Sequence, residues 1–191
     1  WSSDVCSSDL ICGMTGSGKT RVLRELKTLG AQVLDLEGLA VHRGSVLGNE
    51  PQVDQPSQKG FETALWNALR TLDPSRPVYV ESESKKVGGV HVPDALMDKI
   101  RQGSCIELRS STATRVSWLI REYHHFLIDT DSLKSKLALL SAHYGKAQIT
   151  KWSEAIDAGQ FPQLVEDLLV KHYDPSYTSS IVRNFPAYTP N

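Results

Sequence analysis

Residues 13–20 read Gly13-Met14-Thr15-Gly16-Ser17-Gly18-Lys19-Thr20. This stretch matches the phosphate-binding pattern GxxxxGK[ST] at every fixed position. Its glycines let the backbone curl so that N–H groups point inward, and the helix that follows presents its positive end to a phosphate. Lys19 is expected to reach the terminal phosphates, and the Thr20 hydroxyl to hold Mg²⁺. The residues predicted to contact a di- or triphosphate are Gly13, Thr15, Gly16, Ser17, Gly18, Lys19 and Thr20.

The segments around this P-loop alternate between strand and helix patterns. Strands are predicted at 10–12, 32–36, 78–80 and 104–108, with helices at 20–29, 60–72 and 94–101. Beyond these, only helices are predicted, at 112–126, 130–144, 147–158 and 163–173. This order predicts an α/β fold with a P-loop NTPase-like parallel sheet core and a C-terminal helical appendage.

The same patterns divide the chain into four segments. Residues 11–110 are assigned to the P-loop α/β core, 111–175 to a helical region and 176–191 to a surface tail. Residues 1–10 contain four serines and two aspartates, which is too polar for a buried parallel strand. They are either an irregular terminus or, as we interpret them, a suspected non-native leader, in which case the natural protein extends further upstream.

Composition excludes several classes of protein. Hydrophobic residues make up 40% of the 191 residues and charged residues 23%, which are ordinary globular values. The net charge of −1 argues against nucleic-acid binding by bulk electrostatics. Three cysteines without CxxC spacing, Cys6, Cys12 and Cys105, argue against a disulfide framework and a zinc site.

No apolar run has membrane-spanning length and no signal peptide is recognised, so we expect no membrane association and a cytoplasmic location.

Acidic residues follow two of the predicted strands. Glu81 ends the third strand, at the edge where α/β sheets bind ligands, and is predicted to orient a metal ion or water. Asp35 and Glu37 lie at the end of the second strand and are similar candidates.

Two loops carry a more specific signal. One reads Asp35-Leu-Glu-Gly-Leu-Ala-Val-His-Arg-Gly-Ser45, and the other Val80-Glu-Ser-Glu-Ser-Lys-Lys-Val-Gly88. Together with the P-loop, in this order, they resemble the tRNA 2-selenouridine synthase family of bacterial tRNA-modifying enzymes. The resemblance runs from about residue 11 to the C-terminus.

The resemblance implies a transferase that works on tRNA. In the family a wobble 2-thiouridine is alkylated by geranyl diphosphate, and selenophosphate then supplies the selenium of 2-selenouridine. The P-loop would hold geranyl diphosphate, with Mg²⁺ on Thr20 and Glu81 and with Lys19, Glu81 and Arg43 as the catalytic set. A rhodanese-like domain with a catalytic cysteine precedes the P-loop domain in the family and is missing from this chain, which puts the selenium-transfer step in doubt.

Other basic and aromatic residues have two interpretations each. Arg43 is predicted to contact a phosphate of substrate or RNA, and Arg115, early in a helix, to reach the bound phosphates as lid arginines do; each is otherwise a solvated or structural arginine. His42 is a weaker candidate, and Lys85 and Lys86 contact RNA or are solvated. The tryptophans Trp66, Trp118 and Trp152 are interpreted as packing residues.

Two other functions remain open on the sequence. The first is an ATP-dependent small-molecule kinase or NTPase, and the second is a regulatory nucleotide-binding module without chemistry. The P-loop alone fits all three, and only the two loops favour the transferase.

Overall fold

A computed structural model of the chain describes residues 8–49 and 53–185. These residues fall into two compact units. The sheet unit comprises residues 8–14, 18–49, 53–109 and 177–185, and the helical unit comprises residues 15–17 and 110–176.

Six strands belong to the sheet unit: β1 (Ser8–Cys12), β2 (Gln32–Leu34), β3 (Val78–Glu81), β4 (Lys86–Val87), β5 (Val90–His91) and β6 (Ser104–Glu107). Four of them form a parallel sheet in the order β2-β3-β1-β6, and β4 pairs with β5 as an antiparallel hairpin. Parallel neighbours need helical crossovers, which the alternating sequence pattern supplies. The predicted α/β P-loop fold is confirmed.

The helices of the sheet unit are α1 (Lys19–Thr28), α2 (Leu36–Ala40), α3 (Gln58–Leu69) and α4 (Asp94–Arg101). The Asp35 carboxylate caps α2 by accepting from the Gly38 N–H, and the Ser57 hydroxyl caps α3 by accepting from the Gly60 N–H. Both caps satisfy N–H groups that a helix start leaves unpaired. The core between helices and sheet includes the buried side chains of Leu10, Leu34, Phe61, Val80 and Met97.

The helical unit contains α5 (Thr112–Glu122), α6 (His125–Ile128), α7 (Thr130–Ala138), α8 (Ser141–Asp157), α9 (Phe161–Leu168) and a π-helical turn (Leu169–Tyr173). Gly145 interrupts α8 with φ 76° and ψ 161°, at the break that the sequence pattern predicts between residues 144 and 147. The buried Trp152 indole donates to Asp167 Oδ2 over 2.7 Å, which fastens α8 to α9.

Helix α10 (Asp174–Asn184) differs from the surface tail expected over residues 176–191. Its Ile181 is buried in the core of the sheet unit, as is Phe185 just beyond the helix, and Tyr177 packs against that core. The three side chains recur every fourth residue, and Pro175 stands in the first turn, where it needs no N–H partner. Residues 186–191 lie outside the described part.

Strand β1 begins two residues before the predicted start at Leu10, within the segment that the sequence analysis interprets as a leader. Ser8, Asp9 and Leu10 pair with β3 through Val78, Tyr79 and Val80. The backbone of a short polar segment still forms ladder hydrogen bonds when only its last residues, Leu10 to Cys12, are buried. Residues 1–7 lie outside the described part.

The cysteines also differ from expectation. Cys12 at the end of β1 and Cys105 in the adjacent β6 form a disulfide, with their Cα atoms 6.1 Å apart. The two cysteines lie 93 positions apart in sequence, so no local pattern predicts their pairing. Only the order of the strands brings them together. Among the described residues, no helix has both the length and the apolarity needed to cross a membrane.

Candidate phosphate-binding site

The P-loop follows β1, an inner strand of the parallel sheet. Strand β1 ends at Cys12, and α1 begins at Lys19 with Gly18 as its N-cap. Gly16 and Gly18 have φ of 79° and 92°, a left-handed conformation that strains any other residue. The start of α1 therefore follows a loop whose backbone curls as a phosphate cradle does.

Lys19 lies in an enclosed position at the base of this loop. Its ammonium donates to the Gly13 carbonyl over 2.8 Å and lies 3.9 Å from Glu81 Oε1. Only 11% of its side chain is exposed. The predicted phosphate lysine is thus held beside the loop and beside the predicted metal carboxylate.

Glu81 and Thr20 meet at the carboxyl edge of the sheet. The Thr20 hydroxyl lies 3.3 Å from both carboxylate oxygens of Glu81. The register explains this, because Ile11 of β1 pairs with Glu81 of β3, and the Ser82 N–H donates to the Ile11 carbonyl. Burial raises the pKa of Glu81, against the opposing effect of the Lys19 charge.

Two further carboxyl groups lie near Glu81. A Cβ added to Gly44 would come within 2.6 Å of Glu83 Oε2 and 3.2 Å of Glu37 Oε1, so both side chains border this glycine. Burial and the neighbouring Glu81 and Glu83 raise the pKa of Glu37 to about 10. Burial and the Glu81 charge raise the pKa of Glu83 to about 7. The sequence pattern predicts Glu37 as a candidate acid. It does not predict that Glu83, two residues beyond Glu81, is a buried carboxyl group with a raised pKa.

The loop that carries Arg43 is organised by His42. The buried His42 ring accepts from the Gly44 N–H at Nδ1 over 3.0 Å, and its Nε2 lies 3.2 Å from Asn49 Oδ1. These two contacts require the neutral tautomer with the proton on Nε2. His42 thus shapes the loop, and the next residue, Arg43, is tied by its backbone N–H to the Gly48 carbonyl.

The second loop carries two basic residues, Lys85 and Lys86, in different surroundings. Lys85 forms an ion pair with Asp94 at 2.6 Å, with both side chains substantially exposed. Lys86 is exposed on β4. Their contact with RNA stays a prediction, as does that of Arg43.

Arg115 has a firm structural position in the helical unit. Its guanidinium donates to the Thr15 carbonyl over 2.8 Å and is paired with the Asp174 carboxylate. The residue is only 3% exposed. Arg115 therefore contacts the P-loop through the backbone of Thr15, and its binding of a phosphate stays a prediction. Next to it, a Cβ on Gly16 would lie 2.9 Å from Leu119 Cγ, so this loop residue packs closely on α5.

The tryptophans do not all pack as expected. Trp152 is 1% exposed, whereas Trp66 is 61% exposed, so the packing interpretation is wrong for Trp66. Its ring lies 5.3 Å from the Arg70 guanidinium carbon.

Tyr177 lies beside the P-loop and is not among the predicted site residues. The Tyr177 hydroxyl accepts from the Gly13 N–H over 2.7 Å, and Lys19 Nζ lies 5.5 Å from the centre of the Tyr177 ring. The sequence analysis places Tyr177 in the surface tail of residues 176–191. The spacing of Tyr177 from Ile181 and Phe185 is the signal that would have predicted its helix.

Comparison with known proteins agrees with this geometry. The family model for the tRNA 2-selenouridine synthase AAA domain matches residues 6–136, which include the P-loop, Glu81 and both loops. The chain belongs to the tRNA 2-selenouridine synthase AAA domain family. The resemblance inferred from the three motifs is confirmed.

Curated members of the tRNA 2-selenouridine synthase family align with the chain at 31–40% identity. The relative from Alcanivorax borkumensis is 40% identical over 117 residues, covering 60% of this chain and 31% of its own length. The relative from Cupriavidus necator is 32% identical over 86% of this chain and 51% of its own length. The relative from Shewanella halifaxensis is 31% identical over 90% of this chain and 53% of its own length. The chain thus spans about half the length, or less, of these relatives.

The residues at the sheet edge fit a bound Mg²⁺ ion. Mg²⁺ prefers oxygen ligands and is commonly held by one or two carboxylates together with substrate phosphates and waters. Thr20 and Glu81 provide a hydroxyl and a carboxylate at one point. Among the described residues no group of three or more His, Cys, Asp or Glu side chains could hold a metal ion.

Proposed function

We propose that this chain is the diphosphate-binding part of a tRNA-modifying transferase. Its P-loop holds the diphosphate of geranyl diphosphate, and the second substrate is a tRNA with 2-thiouridine at the wobble position. The observation that carries the proposal is the meeting of Lys19, Thr20 and Glu81 beside the P-loop, in a chain that matches the family model over residues 6–136. The names of the relatives support tRNA as substrate.

The proposed reaction needs neutralisation of a leaving group. The thiocarbonyl sulfur attacks C1 of the geranyl group, a C–S bond forms, and the C–O bond to the diphosphate breaks with its electron pair on oxygen. The uracil N3 proton leaves to solvent. Lys19 and the P-loop N–H groups bind the developing negative charge, and bound Mg²⁺ would supply Lewis-acid stabilisation of the same oxygens.

No protein nucleophile is required in this step, and the described cysteines agree with that. Cys12 and Cys105 are joined to each other, so neither offers the thiolate that a chalcogen carrier needs. The second step, conversion to 2-selenouridine with selenophosphate, is therefore proposed to need groups beyond those described here.

Binding measurements separate this proposal from the kinase or NTPase alternative. Calorimetry with Mg²⁺ is expected to give tighter binding of geranyl diphosphate than of ATP, and no ATP hydrolysis. Preferential ATP binding with hydrolysis would favour the alternative, because Glu81 beside Thr20 also suits nucleotide hydrolysis.

The activity is tested on tRNA itself. The chain is incubated with 2-thiouridine tRNA, Mg²⁺ and geranyl diphosphate, with and without selenophosphate, and the nucleosides are analysed by mass spectrometry. We expect S-geranylated thiouridine in both samples and 2-selenouridine in neither. Selenouridine formed by this chain alone would overturn the division of the two steps.

A further inference from the structure

Tyr177 reaches the base of the P-loop from a distant part of the chain. Its hydroxyl accepts from the Gly13 N–H over 2.7 Å, although 164 positions separate the two residues. Gly13 is the first residue of the P-loop, and its carbonyl accepts from the Lys19 ammonium over 2.8 Å. Tyr177 and Lys19 therefore bind opposite ends of the same residue.

The Tyr177 ring also contacts Lys19 directly. The ammonium lies 5.5 Å from the ring centre, within the range of about 6 Å over which an aromatic face attracts a cation. Together with the Gly13 carbonyl and the Glu81 carboxylate at 3.9 Å, the ring gives the ammonium three electron-rich neighbours. These neighbours select one position among the many that a four-carbon side chain can adopt.

The position of the ring is set outside the P-loop. Ile181 and Phe185, one and two helical turns beyond Tyr177, are each 3% exposed in the core of the sheet unit. The Asn184 side chain accepts from Arg101 over 3.0 Å, which fixes the end of α10 to α4. The aromatic wall beside Lys19 is thus held by core packing and does not depend on the loop being occupied.

We infer that Tyr177 is a positioning residue for diphosphate binding, and that its ring holds the Lys19 ammonium in place beside the P-loop. A ligand that meets a pre-ordered lysine loses less side-chain entropy on binding. The inference rests on the proposed function only in taking a diphosphate as the ligand.

The test uses inorganic diphosphate with Mg²⁺ as the probe, measured by calorimetry on the whole chain. Tyr177→Leu removes the aromatic face, and we expect binding to weaken roughly three- to tenfold. Tyr177→Phe keeps the face and loses the hydroxyl, and we expect affinity within about twofold of the original chain. Ile181→Val on the same helix is the matched control for loosened packing and is expected to bind normally.

A second measurement follows Lys19 without any ligand. The amines of the free protein are labelled with a limiting acylating reagent, and the labelled fraction of each lysine is determined by peptide mass spectrometry. We expect Tyr177→Leu to raise the labelling of Lys19 several-fold relative to that of Lys27, which is exposed on the same helix, and Ile181→Val to leave the ratio unchanged. If Tyr177→Leu does not fold, Tyr177→Met fills the space without an aromatic face and carries the same expectations.

The outcomes separate the two proposals. Unchanged Lys19 labelling in Tyr177→Leu, equal losses in the Phe and Leu variants, or the same loss in Ile181→Val would each overturn the positioning role. If the original chain itself fails to bind diphosphate, the proposed function fails, and the labelling result still decides whether Tyr177 positions Lys19.

Discussion

The Thr20 hydroxyl lies 3.3 Å from both carboxylate oxygens of Glu81. One residue stands in the first turn of α1 and the other ends β3, 61 positions later. Because β3 pairs directly with β1, the strand that enters the P-loop, the sheet order brings the two side chains together. The pair places a hydroxyl and a carboxylate side by side next to the predicted phosphate site.

Glu81→Gln is expected to remove the benefit of Mg²⁺ in diphosphate binding. The amide replaces a charged ligand by a neutral one. Loss of a group that only supports a ligand commonly costs 10- to 100-fold in metal affinity, and we expect loss of the ligand charge to cost at least as much. Calorimetry with Mg²⁺ and with a chelator gives the ratio of the two affinities. Asp98→Asn, an exposed carboxylate on α4 paired with Arg101, should keep the ratio of the original chain. A Glu81 variant that still responds fully to Mg²⁺ would show that the ion binds elsewhere.

Lys19→Ala should weaken diphosphate binding by at least tenfold while the melting temperature stays nearly unchanged. A hydrogen bond to a charged group contributes about 1.5–3 kcal/mol, and Lys19 faces the loop, where it bonds the Gly13 carbonyl. Lys27→Ala in the last turn of the same helix is the control. Normal affinity in the Lys19 variant would remove the basis for a P-loop site.

The parts predicted correctly from the sequence depend on short-range patterns. The P-loop is a contiguous motif, and Glu81 ends a strand that three apolar residues identify. The break at Gly145 also has a local cause, since its backbone adopts a φ of 76°. Such features need no knowledge of what lies across the fold.

The parts that were missed depend on long-range contacts. The Cys12–Cys105 pair follows from strand order, and the place of Tyr177 follows from packing of α10 on the sheet unit. The raised pKa of Glu83 arises from burial and from its neighbour Glu81, which only the folded chain determines. Buried Arg115 illustrates the same limit, because its partner Asp174 lies 59 positions away.

Reduction of the Cys12–Cys105 disulfide should lower the free energy of unfolding by about 2–4 kcal/mol. The bond closes a loop of 93 positions, so it restricts the unfolded chain strongly. Urea unfolding with and without dithiothreitol measures the difference. The double variant Cys12→Ser, Cys105→Ser should be insensitive to the reductant. Equal sensitivity in that variant would trace the effect to something other than this pair.

Stability of the chain should fall as the pH rises from about 5 to 7, in part through Glu83. Its folded pKa of about 7 lies above the ordinary glutamate value of 4.5, so between these values the folded state binds more protons than the unfolded state. A raised carboxyl pKa stabilises the fold at low pH, and this contribution is lost as the pH passes the folded value. Glu83→Gln should flatten the dependence measured by urea unfolding in chelator-containing buffers, whereas Glu62→Gln, on the exposed face of α3, should not. A slope unchanged in Glu83→Gln would assign the dependence to other groups.

Asp174→Asn is expected to destabilise the protein by about 3 kcal/mol, because it removes the carboxylate that pairs with the buried Arg115 guanidinium. The value is at the lower end for a broken buried pair, since 24% of the Asp174 side chain is open to solvent whereas Arg115 exposes only 4% of its own. The matched control is Asp157→Asn. Asp157 pairs with Lys134, and the exposed fractions of these two side chains are 66% and 29%. An exposed pair of this kind contributes about 0.2–1 kcal/mol. Both variants are compared by urea unfolding followed by circular dichroism. Similar small losses in the two would mean that the Arg115–Asp174 pair contributes no more to stability than an exposed pair does.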